Sequence, residues 1–381
     1  MNEHTESIPA AANDCVILGE IPTACGRRFG HATLNAPRSL NALSLEMIDR
    51  LAPQLDAWAA DPAIVGVLLD GALEKAFCAG GDVIALYRSI RSTVSGEVPV
   101  DAATFFEREY RLDHRIHTCP KPVLCWGHGI VMGGGIGLFA GASHRVATPK
   151  TRLAMPEITI GLFPDVGGSW FLGRAPGRTG RFLALTGAPM NAADARFAGL
   201  ADFVLAHEDK AAVIEAIAAS HWQGSRASDD ARLGALLDAR SCPMPESPLR
   251  THYDRIDALV GHDGLAPAMQ RIGALADDPD RWLAQAGEAA RRGSPSSAAL
   301  AWTLQDLARY LSLADVFRLE HQAAVGCCVH HDFAEGVRAL LVDKDRNPRW
   351  QPATLDQVDE AWVAAHLRPR FDGPHPLADL A

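Results

Sequence analysis

The segment MPEITIGLFPD sets two carboxylates, Glu157 and Asp165, eight residues apart among Met155, Ile158, Ile160, Leu162 and Phe163. Burying ionised carboxylates in such company is costly without a partner or a purpose. Desolvation would lift their pKa values toward the range useful for proton transfer. The alternative is an exposed turn, since Pro164-Asp165 also suits a helix start. Three glycine-rich turns lie in the same part of the chain: FCAGGD (77–82), HGIVMGGGIG (128–137) and FPDVGG (163–168). Each sits where a strand or loop enters a helix, so backbone N–H groups there can approach a ligand near a helix N-terminus. Two such N–H groups from different turns can bind one developing oxyanion. Taken singly, each turn also fits simple close packing.

Other candidates carry less. GGGIG does not have the GxGxxG spacing of a dinucleotide site. Ser169 lacks a GxSxG elbow, which gives a hydrolase triad little support. Glu109 lies in FFEREYRLDHRIH, a helix with a charged face, where a solvated side chain is the default. His128 precedes a glycine turn and reads as a packed or backbone-bonded residue. The eight cysteines form no CxxC pair and have no partners at zinc spacing, so they read as buried reduced thiols and no metal site is expected.

The elements that must position these residues alternate. Strand-length apolar runs CVILGE and GRRFGHATLN come first. A helix over 44–60 follows, with Leu45, Ile48, Leu51, Leu55 and Trp58 on one face, Ser44 as N-cap and Pro53 as an interruption. VGVLLDG (65–71) reads as a buried strand. A helix to about His117, a strand at 121–127, a glycine turn into a helix at 133–142 and a strand at 144–149 repeat the pattern, which is that of an α/β fold. After about residue 210 helical patterns dominate, interrupted by the Pro-rich connection CPMPESP (242–248). The expected organisation is a tail over 1–12, an α/β core over 13–210 and a mainly helical extension over 211–381, ending in a loose segment, FDGPHPLADLA.

Composition narrows the function classes. At 381 residues, 48% hydrophobic and 22% charged, the chain can bury a sizeable core. The net charge of −10 disfavours nucleic acid and anionic membrane as partners. No stretch is apolar and long enough for a bilayer span. The N-terminus has no signal pattern. These points, with the reduced thiols, lead to the expectation of a cytoplasmic protein.

At its glycine turns the sequence resembles the crotonase superfamily, the enoyl-CoA hydratase/isomerase fold. PRSLNALSLEMI (37–48), KAFCAGGDV (75–83), KPVLCWGHGIVMGGGIGL (121–138) and MPEITIGLFPDVGGSWFLGR (155–174) occur in family order with family-like spacing. HDFAEGVRALLVDKDRNPRW (331–350) is similar to its 3-hydroxyisobutyryl-CoA hydrolase subfamily. The resemblance spans about residues 15 to 367. It implies a spiral of ββα units with a helical C-terminal region, an acyl-CoA substrate, no separate cofactor and a possible homo-oligomer.

By the same resemblance, the oxyanion hole falls at the N–H of Gly81, or of its neighbour Gly80, together with that of Gly134. Glu157 matches the catalytic glutamate, Asp165 the hydrolase subfamily's aspartate, and Glu109 a substrate-contacting glutamate. Hydratases of the superfamily carry a second glutamate three residues past the oxyanion glycine, where this chain has Gly137. Its absence disfavours water addition to a double bond and leaves thioester hydrolysis. Enoyl-CoA hydration or isomerisation, and non-catalytic acyl-CoA binding, are the competing readings. Arg27, Arg28 and Arg38 are candidates for the CoA phosphates, and Trp126, Phe163 and Trp170 for shaping the acyl pocket.

Overall fold

The structure is a computed structural model that describes residues 14–381, so the expected tail over 1–12 lies outside the described residues. The chain opens with an antiparallel hairpin, β1 (Val16–Pro22) and β2 (Arg28–Leu34), paired in register from Val16–Leu34 to Pro22–Arg28. Helix α1 (Leu45–Ala60) follows, with Ser44 capping the Met47 N–H at 3.2 Å. Pro53 stays inside it without breaking it. Its inner face buries Met47, Ile48, Leu51, Leu55 and Trp58; each such side chain contributes about 1.5–3 kcal/mol of burial.

Three circuits then repeat one plan. β3 (Ile64–Gly71) leads to β4 (Ala76–Cys78), then to α2 (Val83–Ser92) and α3 (Val100–His117). β5 (Val123–Gly127) leads to β6 (Ile130–Met132) and α4 (Gly134–Gly141). β7 (His144–Ala147) leads to β8 (Arg152–Ala154) and the short 3-10 turn Glu157–Ile160. In each circuit the first strand joins a six-stranded sheet, order β1-β2-β3-β5-β7-β9, with β9 at Phe203–Val204. The second joins a parallel three-stranded sheet, β4-β6-β8. This is the ββα spiral expected from the resemblance. Every residue of β3 is buried, as a parallel strand covered on both faces requires. The crossing between the sheets is tight. Gly129, at φ +58°, joins β5 to β6, and a Cβ there would stand 2.3 Å from the Lys75 carbonyl oxygen.

The helices after residue 210 pack on this spiral. The helix Leu313–Val329 lies on α3 and brings Phe317 to 5.7 Å, ring to ring, from Tyr110. One apolar core runs continuously from the spiral into these helices. The C-terminal segment is not loose as expected. Leu377 is fully buried, Asp379 pairs with Arg111 at 2.6 Å, and the Leu377 carbonyl accepts from Arg318 Nε at 3.0 Å. Its Pro and Gly content suggested mobility; one anchoring leucine and two arginines fix it instead.

Candidate active site

A cavity of about 270 Å³ opens where the three-stranded sheet ends and the helices begin. Two glycine turns meet on its wall. Gly81 follows β4 and Gly134 starts α4, and a Cβ built on Gly134 would lie 3.3 Å from the Gly81 nitrogen. Among the described residues neither the Gly81 nor the Gly134 N–H donates to any protein acceptor. The turn before Gly134 demands glycine as well: Gly133 has φ +47°, and a Cβ on it would reach 3.0 Å from Glu157 Oε1. These are two unspent donors from different turns on the wall of one cavity.

Three carboxylates share that space: Glu109 from α3, Glu157 from the turn after β8, and Asp165. All three are buried. Glu109 Oε1 and Glu157 Oε2 have no hydrogen-bond partner among the described residues. Burial, then the Asp165 charge, pushes the Glu157 carboxyl well above the usual carboxylate range. Burial, with Asp165, Asp113 and Glu157 as further causes, does the same to Glu109. Burial raises Asp165 to about 6, while the hydroxyl of Tyr110, donating to Asp165 Oδ2 at 2.7 Å, pulls in the opposite direction. The apolar remainder of the wall comes from Phe105, Phe106 and Leu86, and from Leu340 and Leu341 of a π-helical turn (Arg338–Val342). Buried acids facing free N–H donors in an apolar pocket can polarise a carbonyl and move a proton beside it.

The five residues Glu109, Gly81, Gly134, Glu157 and Asp165, with Gly80, therefore line one cavity. The pattern described as "Enoyl-CoA hydratase/isomerase" matches residues 29–367. The chain belongs to the enoyl-CoA hydratase/isomerase family. A curated relative from Gallus gallus, "3-hydroxyisobutyryl-CoA hydrolase, mitochondrial", is 38% identical over 89% of this chain and 86% of its own. The protein of the same description from Homo sapiens is 36% identical over 89% and 86%. The crystal structure of a "Carnitinyl-CoA dehydratase" from Mycobacterium thermoresistibile superposes with a TM-score of 0.84. It is 36% identical and covers 96% of this chain and 99% of its own.

Several expectations need correction for this family member. Its curated relatives are described as mitochondrial, which overturns the cytoplasmic expectation; thiols read as reduced do not distinguish one reducing compartment from another. Glu109 is buried in the cavity, not solvated, because the Gly81 and Gly134 turns of the spiral pack against the side of α3 that carries it. Arg27 and Arg28 are held by local partners: Arg27 by the Pro62 and Gln223 carbonyls, Arg28 by Glu20 and Asp61. Arg38 remains exposed in a turn beside Leu40, whose carbonyl receives the Ala79 N–H. Trp126 and Trp170 are not on the cavity wall, and neither is Phe163. Trp126 bonds His207 across the other side of the large sheet. His128 is backbone-bonded, to the Leu73 carbonyl at 2.6 Å. Four cysteines (Cys78, Cys125, Cys327, Cys328) are buried and the other four are partly exposed; all are free.

Tyr110, Asp113 and Glu320 escaped the sequence reading. The first two had a signal: Asp113 lies four residues after Glu109 and three after Tyr110, the spacings at which helical side chains are neighbours. Glu320 had none, being more than 150 residues from the turn it contacts. Among the described residues no cluster of three or more His, Cys, Asp or Glu side chains is placed to hold a metal ion. No helix among them is long and apolar enough to cross a membrane.

Proposed function

We propose that this protein hydrolyses a short-chain 3-hydroxyacyl-CoA thioester, with 3-hydroxyisobutyryl-CoA, an intermediate of valine breakdown, as the foremost substrate. The observation that carries the reading is the cavity itself: two unspent N–H donors opposite buried Glu157 and Asp165. The hydrolase descriptions of its relatives support the substrate class.

In this reading the thioester oxygen sits between the N–H groups of Gly81 and Gly134. Each donor contributes about 3 kcal/mol to stabilising the oxyanion as charge develops. Glu157, its basicity raised by burial, either takes a proton from the attacking water or attacks the carbonyl carbon itself. In both routes the C–S bond breaks and CoA leaves as a thiolate. In the second, water then cleaves the acyl-glutamyl anhydride. Ionised Asp165 accepts a hydrogen bond from the substrate 3-hydroxyl, and Glu109 faces the same substrate. No metal or redox cofactor enters the scheme, and assembly into homo-oligomers is part of the same proposal.

Hydration is disfavoured at Gly137. A Cβ there would stand 2.7 Å from both Asp113 Oδ2 and the Val166 Cβ, which leaves no room for a second glutamate.

The test incubates the protein with 3-hydroxyisobutyryl-CoA and with crotonyl-CoA, following thiol release and enoyl absorbance. Thiol release that Glu157→Gln abolishes is the expected result. Enoyl loss alone would sink the reading in favour of a hydratase, and no signal from either would leave a binding protein. A single turnover in ¹⁸O-water that labels Glu157 selects the anhydride route.

A further inference from the structure

The turn that carries Asp165 is held from outside by one residue. Val166, which follows it, has φ +53°, a left-handed conformation that a β-branched side chain strongly resists. Gly167 has φ +84°. The turn closes on itself through the Gly168 N–H donating to the Asp165 carbonyl at 2.6 Å. That leaves the Gly167 and Ser169 N–H groups pointing away from the turn. Both donate to Glu320, at 2.7 Å to Oε2 and 2.8 Å to Oε1.

Glu320 is fully buried and lies on the helix Leu313–Val329. One turn earlier on that helix, Phe317 packs where a Cβ on Gly167 would point, at 3.4 Å. The carboxyl group is thus placed by its own helix, and each of its oxygens accepts from one backbone amide of the turn. Two acceptors on one rigid group define the direction as well as the existence of the bonds. A strained turn persists only where its surroundings over-determine it.

We propose that Glu320 is a positioning residue for the reaction: its carboxylate clamps the Val166–Ser169 backbone in the strained form that aims Asp165 into the cavity. Glu320 touches no substrate; it acts through Asp165, on the far side of the turn. The proposal rests on the hydrolase reading for its kinetic arm and on geometry alone for its exchange arm.

Amide exchange and kinetics of Glu320→Gln test it, since the amide side chain keeps the volume and replaces one acceptor by a donor. Exchange at the Gly167 and Ser169 amides is expected to rise roughly tenfold or more as the local clamp opens. The kcat for 3-hydroxyisobutyryl-CoA hydrolysis is expected to fall by roughly tenfold or more with KM within about threefold. Adding Val166→Gly, which relieves the left-handed strain, is expected to restore part of the lost kcat; a general packing defect would not respond to it. Should Glu320→Gln fail to fold, Glu320→Asp withdraws the same carboxylate by one methylene and is read in the same way. Unchanged exchange at residues 167 and 169 overturns the proposal. So does raised exchange with wild-type kcat, or a kcat loss that Val166→Gly leaves untouched. If the unmodified protein hydrolyses no thioester, the hydrolase reading fails, and the exchange result alone then decides whether the clamp exists.

Discussion

The Tyr110 hydroxyl donates a 2.7 Å hydrogen bond to Asp165 Oδ2 across 55 residues of sequence, inside the buried wall of the cavity. It is the one bond by which α3 steadies the ionised form of that carboxylate, whose pKa burial has raised to about 6. Tyr110→Phe removes the donor and keeps the ring. The ionised form loses support, so the value rises. A hydrogen bond to a charged group is worth about 1.5–3 kcal/mol, or roughly one to two pKa units. The acid limb of kcat/KM is therefore expected to move to higher pH by about that amount, with little change on the alkaline side. A pH–rate profile that does not move would remove Asp165 from the role of the limiting acid group.

Glu157→Gln keeps the shape of the site and removes the base. General acid–base groups contribute roughly 10²- to 10⁴-fold, and a loss of kcat in that range is expected. Thermal stability should hold or rise, because a poorly partnered buried carboxyl is replaced by a neutral amide. Thiol-release kinetics beside a melting curve check both halves.

Gly134→Ala and Gly81→Ala should differ in severity. The new Cβ at 134 would sit 2.2 Å from Glu109 Oε1, so Glu109 or the turn itself must move. Displacing one oxyanion donor costs about 2.7–4 kcal/mol, or 10²- to 10³-fold in kcat. At 81 the nearest atom is the Phe105 ring edge, 3.1 Å away, and a ring can give by a few tenths of an ångström. Gly81→Ala is expected to lose less. Equal losses, measured at saturating substrate, would contradict the asymmetry of the two turns.

Asp113→Asn is expected to stabilise the protein in a pH-dependent way. Both oxygens of Asp113 are buried without partners among the described residues. Burial, with Asp165 and Glu320 nearby, holds its carboxyl well above 3.8. A group whose folded pKa is raised contributes stability that is fully present below the unfolded value and is lost as pH rises through the folded one. The gain from Asn should therefore be small near pH 4 and larger at pH 8. Melting temperatures at the two pH values measure it; a gain that shrinks toward pH 8 would contradict the sign.

The alternation of strands and helices and the three glycine turns were legible in the chain because they are local requirements. A buried parallel strand must be apolar on both faces, and a tight crossing must lack a Cβ. The same holds for Gly134 and Glu157, which stand in short motifs whose residue types answer to their immediate neighbours. Glu109 was legible only by resemblance. Its helix carries Arg108 and Arg111 on other faces, and nothing in the residues around it says which face the rest of the protein will cover.

What the sequence determined by itself was therefore the alternation of strands and helices, the glycine turns, and the presence of acids among apolar residues; the spiral followed only from resemblance. Tertiary structure decided which acids meet. Tyr110 reaches Asp165 because α3 crosses the site, and Glu320 reaches Gly167 and Ser169 because a helix more than 150 residues later packs against it. Charge state followed the same division. Composition counts carboxyls, but burial and the proximity of other carboxyls shift their protonation. Both arise only when distant segments exclude water from the same small volume.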